Sequence, residues 1–225
     1  MSNRTLFAAI LAAFASAGLA GPAMAAPATQ QAIEKYGELC HQAARATERR
    51  LRMPSGLLGA IALAESGRWN EAARESFAWP WTVTSGKDSW YLRDRAEALA
   101  RVKALQAAGV SNIDVGCMQV NLHYHPDAFP SLEAAFDPAV NAAYAGQFLR
   151  GLRDKHRSWH MAIQRYHSSD PDRYIAYRRK VVNLWNDVRQ RIGRQQRAAA
   201  IEAYRERRAE AQRLQAHYER VSAGR

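Results

Sequence analysis

Two dipeptides, Asp137-Pro138 and Asp170-Pro171, do most to restrict the fold of this 225-residue chain. Each places a side-chain acceptor directly before a proline, the order in which helices begin. The carboxylate caps the first free amides, and the proline occupies a position whose N–H would have no partner. The first dipeptide predicts a helix to about His156. The second predicts a long helix ending at Gly193, with Tyr174, Tyr177, Val181, Leu184, Trp185 and Val188 forming one apolar stripe. Ser158 predicts a helix to Tyr166, and Asp94, with Glu97 three positions on, opens one over 95–108 that Gly109 closes. Upstream, Thr29 is read as the cap of a helix over 29–52. Pro54-Ser55 then ends that helix and caps a short one, Leu57 to Glu65, which stops at Gly67. Only Trp81-Thr-Val-Thr and Ser89-Trp-Tyr-Leu, joined by the turn Gly86-Lys87-Asp88, read as a β-hairpin, with a further short strand or turn within 113–120. The expected fold class is therefore mainly α, a helical domain over 29–192 carrying a small hairpin.

A hydrophobic content of 48% over this length is enough to bury a core and excludes a collagen-like, rod-like or wholly disordered chain. The charge is uneven. The formal net charge is +11, and residues 147–225 hold 19 of the 32 basic and 8 of the 21 acidic side chains, so the whole excess lies in the C-terminal third. Residues 193–225, rich in Arg, Ala, Glu and Gln with a thin apolar line, are read either as a solvated helix or partly disordered tail, or as a basic helix that docks on an anionic polymer or a protein partner.

The first 25 residues have the form of a signal peptide. Arg4 supplies the positive start, Leu6 to Ala20 the apolar stretch, and Ala23-Met24-Ala25 the cleavage signal, so the mature chain is expected to begin at Ala26 in a bacterial periplasm. The apolar run is short for a membrane anchor, and no transmembrane anchor is expected after cleavage. In an oxidising compartment Cys40 and Cys117 either pair or remain as two buried thiols, and the sequence leaves both open. Two cysteines exclude a four-cysteine zinc site, and His123, His125, His156 and His160 lack a completing ligand at metal spacing, so no metal or cofactor is expected.

One residue carries the chemistry. Leu58, Ile61, Ala62 and Glu65 fall on one helix face, which puts the Glu65 carboxyl on the apolar side. Loss of water there disfavours the anion and raises the pKa, leaving an acid that can protonate a leaving oxygen.

The residues around it form an ordered series. The segment Ile61-Ala-Leu-Ala-Glu65-Ser66-Gly67 is followed by Gly116-Cys117-Met118-Gln119-Val120-Asn121, then Asp137-Pro138-Ala-Val-Asn141, Ala162-Ile-Gln-Arg-Tyr166-His167 and Tyr177-Arg-Arg-Lys-Val181. Across residues 37–188 this resembles the lytic transglycosylases with the soluble-lytic-transglycosylase (SLT) domain, a branch of the lysozyme-like superfamily. Three positions depart from the family pattern: Cys117 stands for an aliphatic residue, Arg165 for alanine, and His167 for asparagine.

The resemblance implies an α+β lysozyme-like fold with the hairpin lining a saccharide cleft, and peptidoglycan as substrate. It implies cleavage of the β-1,4 bond from N-acetylmuramic acid to N-acetylglucosamine with Glu65 as single acid and base. The muramic C6 hydroxyl would close on C1 to give a 1,6-anhydro end, with no water consumed. Ser66, Met118, Gln119 and Tyr166 would contact substrate, with Tyr166 bonding either Glu65 or a sugar, and Trp79 and Trp81 would form either a stacking wall or core. Two rivals are kept. A lysozyme-type hydrolase would need a second carboxylate, Asp88 or Asp114, at a suitable separation from Glu65. A non-catalytic wall-binding or secretion-assembly module would use the same cleft without chemistry. A secretion, flagellar or conjugation apparatus protein is a possible partner of the basic tail, and nucleic acid is not expected.

Overall fold

The computed structural model describes residues 36–168 and 170–223. The expected signal peptide, its cleavage site and the Thr29 cap lie outside these residues. The chain is mainly helical. In order it runs α1 (Leu39–Leu51), α2 (Leu57–Ser66), β1 (Gly67–Asn70), β2 (Glu75–Ala78), β3 (Thr82–Ser85), β4 (Asp88–Tyr91), α3 (Arg95–Ala107), β5 (Asp114–Val115), β6 (Val120–Asn121), α4 (Leu132–Ala135), α5 (Pro138–His156), α6 (Trp159–His167) and α7 (Pro171–Ala223).

Helix α2 is the axle of the fold. Leu57, Leu58, Gly59, Ala60, Ile61 and Ala62 are all buried, which is the pattern of a helix enclosed on every side. It packs against α1 and α7, while α5 packs on α1 and α6, and α6 in turn on α7. Small residues make this possible. A Cβ added at Gly146 of α5 would stand 2.5 Å from Thr47 Cγ2 of α1, so only glycine allows the two helices their separation.

The N-terminus of α2 is capped differently from expectation. Its N-cap is Gly56, with φ 79°, and neither Ser55 nor any other local side chain caps it. The Glu48 carboxylate of α1 does so instead, accepting from the amides of Gly56 (2.8 Å), Leu58 (2.7 Å) and Gly59 (3.3 Å). A cap from another helix leaves no mark in local spacing, which is why the sequence pointed to Ser55. The other caps named from the sequence, Asp94, Asp137 and Ser158, each accept an amide of the helix that follows, and Ser131, not singled out there, does the same for α4.

The β structure is more extensive than the single hairpin expected. β1 and β2 pair antiparallel directly after α2, a hairpin that the charged and aromatic run Arg68-Trp69-Asn70 did not signal. The expected hairpin, β3 and β4, forms with the register Thr82↔Tyr91, and β5 and β6 extend it into a four-stranded antiparallel sheet of order β4-β3-β5-β6. Beneath this sheet lies a second core of Trp79, Trp81, Val83, Leu92, Val102, Ile113, Val115 and Phe136. Trp79 is fully buried and its indole N–H donates to Leu92 O (2.7 Å). Both tryptophans are therefore core, not an exposed stacking wall.

The expected stop at Gly193 does not occur. α7, 53 residues long in all, runs through Gly193 to Ala223. Glycine inside a helix costs only about 1 kcal/mol, and the Ala, Arg, Gln and Glu that flank it are strong helix formers. The stem of α7 is anchored by buried Tyr177, Val181, Val188 and Ile192, and by the Trp185 indole, which donates to Ser55 O (2.9 Å). Beyond Gly193 nearly every side chain is exposed.

Candidate active site

Three segments converge on the end of α2. Its last turn supplies Glu65 and Ser66, the β5–β6 loop supplies Gly116 to Gln119, α6 supplies Tyr166 and His167, and α7 supplies Tyr177 and Lys180. The loop is held from two sides. Cys117 is joined to Cys40 of α1 by a disulfide that spans 77 positions, with Cα atoms 5.5 Å apart. Asn141, fully buried at the start of α5, accepts from Met118 N (2.9 Å) and donates to Val115 O and Ala135 O. Gly116 is required here on two counts. Its φ is 79°, and a Cβ would meet the Asn141 amide at 2.6 Å.

Glu65 is partly buried at the junction of these elements. The Tyr177 hydroxyl donates to its Oε1 at 2.6 Å, closing a contact between residues 112 positions apart. Its pKa is raised to about 7. Burial is the main cause. The Tyr177 hydrogen bond opposes it, the Asp114 charge adds to it, and the Lys180 charge opposes it again. Tyr177 occupies one carboxyl oxygen and leaves the other to carry a transferable proton. Lys180 stays beside the pair because its ammonium donates to Ala64 O (2.6 Å).

The residues expected to contact a ligand divide into two groups. Ser66 is fully buried, and its hydroxyl serves Ala62 O (3.1 Å) and Cys117 O (2.8 Å). It ties the end of α2 to the β5–β6 loop and does not reach a ligand. Met118 is also fully buried, so its side chain packs in the main core and is not an exposed wall. Gln119 and Tyr166 are only partly buried. Tyr166 donates to Met118 O (2.9 Å), so the hydroxyl bonded to Glu65 is that of Tyr177. Both tyrosines lie on apolar helix faces, and spacing alone did not separate their roles.

Gln119 is the most constrained of the set. Its φ is 46°, a left-handed conformation that costs a non-glycine residue on the order of 1 kcal/mol. Its side-chain N–H group is committed to Gly116 O (2.9 Å) and Thr82 O (3.1 Å), while the amide oxygen is buried with no partner in the protein. An orphaned acceptor held this firmly is suited to a donor on a ligand once the side chain shifts to admit it.

The two possible second carboxylates also part. Asp88 is exposed at the start of β4. Asp114 on β5 is half-buried, and burial holds its carboxyl above the ordinary range against the opposing Asn121 hydrogen bond (2.9 Å). Its charge reaches both Glu65 and Tyr166 and raises the proton affinity of each.

The sequence missed Glu48, Lys180 and the stack of His167 on Tyr177. Lys180 reaches Ala64 O of α2, and the ring stack joins α6 to α7, so each depends on a contact between distant segments. No family model, curated protein or solved structure matches this chain.

Proposed function

We propose that the protein is a lytic transglycosylase of the lysozyme-like type, exported to the periplasm, that cleaves the N-acetylmuramic acid to N-acetylglucosamine bond of peptidoglycan without water. The observation that carries this reading is Glu65, a sheltered carboxyl with a pKa of about 7 and one oxygen bonded to a tyrosine hydroxyl. An acid of that strength is protonated in about half of the molecules at neutral pH, so it serves equally well to give a proton and to take one back.

The reaction has two proton transfers. Glu65 protonates the glycosidic oxygen as the C1–O bond breaks, and positive charge develops at the muramic C1. The resulting carboxylate is stabilised by the Tyr177 hydroxyl and the Lys180 charge, the two influences that lower the pKa of Glu65. The carboxylate then accepts the proton of the muramic C6 hydroxyl as that oxygen closes on C1. One carboxyl suffices because the nucleophile lies within the substrate. Gln119 would accept from a sugar hydroxyl or acetamido N–H, and Tyr166 would border the sugar. The basic part of α7 would meet the acidic wall or a protein of a secretion, flagellar or conjugation apparatus.

A second reading, a lysozyme-type hydrolase, is favoured by Asp114, whose charge Glu65 feels. In that case Asp114 would activate a water molecule.

Digestion of purified sacculi separates the two. Transglycosylation gives 1,6-anhydromuramic ends with no uptake of oxygen from ¹⁸O-water, and Glu65→Gln abolishes release. Reducing ends that carry ¹⁸O, lost in Asp114→Asn, would establish the hydrolase. Release that persists undiminished in Glu65→Gln would remove both.

A further inference from the structure

We propose that His167 is a positioning residue for Glu65, acting through Tyr177. Its imidazole lies flat on the Tyr177 phenol, the same ring whose hydroxyl holds the Glu65 carboxyl. The rings are 4.4 Å apart between centroids and inclined by only 7°. The order in space is imidazole, phenol, carboxyl, supplied by α6, α7 and α2 respectively. The inference deepens the proposed function, on which its catalytic consequence rests.

The arrangement does two things. A phenol that carries a ring on its face cannot tilt without breaking the stack, so the hydroxyl stays aimed at Oε1 of Glu65. The ring also excludes water from that side of Tyr177, which preserves the burial that keeps Glu65 protonated.

The charge of the imidazole matters as well. Parallel stacking of two neutral rings is a dispersion contact. A protonated imidazole over the phenol face becomes a cation over a π system and draws electron density from the hydroxyl. The O–H becomes a stronger donor, the Glu65 anion is favoured, and the carboxyl yields its proton more readily. Imidazolium and protonated Glu65 therefore disfavour one another.

The setting holds His167 neutral near pH 7. The residue is exposed as a whole, yet its pKa lies below the ordinary histidine value, first through partial loss of water and then through the charges of Arg173 and Lys180. Those two residues of α7 are the charges that bear on it among the described residues. α5, also packed against α6, contributes none. Beyond Tyr177 stands Glu65, itself influenced by Asp114 and Lys180. The motif resemblance puts asparagine at this position, a residue that can neither stack in this way nor titrate.

The test is an NMR titration of the full mature chain with ¹³C-labelled glutamate carboxyls, Glu65 being assigned by Glu65→Gln, together with sacculus digestion. In the wild type the Glu65 signal should show its main inflection near pH 7. A second, smaller one should coincide with the titration of the His167 ring. His167→Phe keeps a flat ring without a charge. It should retain the main inflection and lose the smaller one, with turnover at pH 7 within about twofold of wild type. His167→Ala removes the ring, and should lower the main inflection by about half a pH unit or more as water reaches Tyr177. Its kcat should fall roughly tenfold with KM within about twofold, since it loosens the acid and leaves the sugar contacts in place.

A Glu65 titration that is the same in wild type and folded His167→Ala would overturn the proposal, as would equal displacement in the Ala and Phe variants. Should His167→Ala not fold, His167→Asn against His167→Phe supplies the same comparison. The titration needs no substrate. Coupled titration without release of wall fragments would therefore leave the His167 inference standing and remove the proposed function.

Discussion

The Tyr177 hydroxyl and the Glu65 carboxyl, from helices at opposite ends of the domain sequence, meet at 2.6 Å. The bond works against burial. The apolar end of α2 pushes the pKa of Glu65 up, and the phenol draws it back to about 7. Neither influence alone gives an acid poised at neutrality.

Tyr177→Phe should therefore move the alkaline limb of the pH–rate profile upward. Removing the donor leaves burial less opposed, so Glu65 holds its proton to higher pH. The carboxylate formed after proton donation also loses its partner, and kcat at pH 7 should fall by about tenfold or more, in line with the loss of one donor to a developing charge. An unchanged alkaline limb in a folded Tyr177→Phe protein would contradict this placement.

Glu65→Gln should stabilise the protein at alkaline pH and lose that advantage in acid. The sign follows from linkage. The folded-state pKa of about 7 lies above the ordinary glutamate value of 4.5, so the associated stability is fully present below pH 4.5 and lost as pH rises through 7. At pH 8 the variant avoids a penalty of up to about 3 kcal/mol, since each pKa unit is worth about 1.4 kcal/mol. Thermal unfolding of both proteins at pH 4 and pH 8 measures it, and a gain of equal size at the two pH values would show that Glu65 is not sheltered.

Loss of the Cys40–Cys117 bond should cost stability and loosen the site together. Closing a loop of 77 positions is worth about 4 kcal/mol on the chain-entropy model. The bond also anchors the loop whose Cys117 carbonyl receives the Ser66 hydroxyl. Cys40→Ser/Cys117→Ser should show a lower denaturation midpoint and reduced wall digestion even where it remains folded.

Asn141→Ala should be among the more damaging single changes outside the acid. Three buried backbone groups, Met118 N, Val115 O and Ala135 O, are bonded by this one side chain. An unsatisfied buried group costs about 1–3 kcal/mol, so a loss of about 3 kcal/mol or more in urea unfolding is expected. Asn141→Asp should not rescue it, because a carboxylate cannot donate to the two carbonyls.

The helical starts were legible because their signals are local. Asp94, Asp137 and Ser158 cap as spacing predicts, since each acceptor lies within three residues of the amides it serves. Glu65 was legible as a sheltered carboxyl from the period of α2. What escaped was set by contacts between distant segments. Glu48 caps a helix eight to eleven residues away, and Tyr177 rather than Tyr166 serves Glu65 because α7 passes closer to it than the tip of α6. The β1–β2 hairpin escaped because its strands lack alternation and join α2 without a turn signal. Ser66 and Met118 were expected to face a ligand. Position in a motif does not reveal whether a side chain or its backbone does the work.

Helix α7 gives the molecule a lever. From Tyr177 to Ala223 is a single run of backbone hydrogen bonds, about 70 Å at the helical rise per residue, with its far portion outside the packed body. A rod of that kind passes a twist or a pull along its whole length. Any load on the distal arm meets the packed stem first, at Ile192, Val188 and Trp185, before it reaches the turn that carries Tyr177.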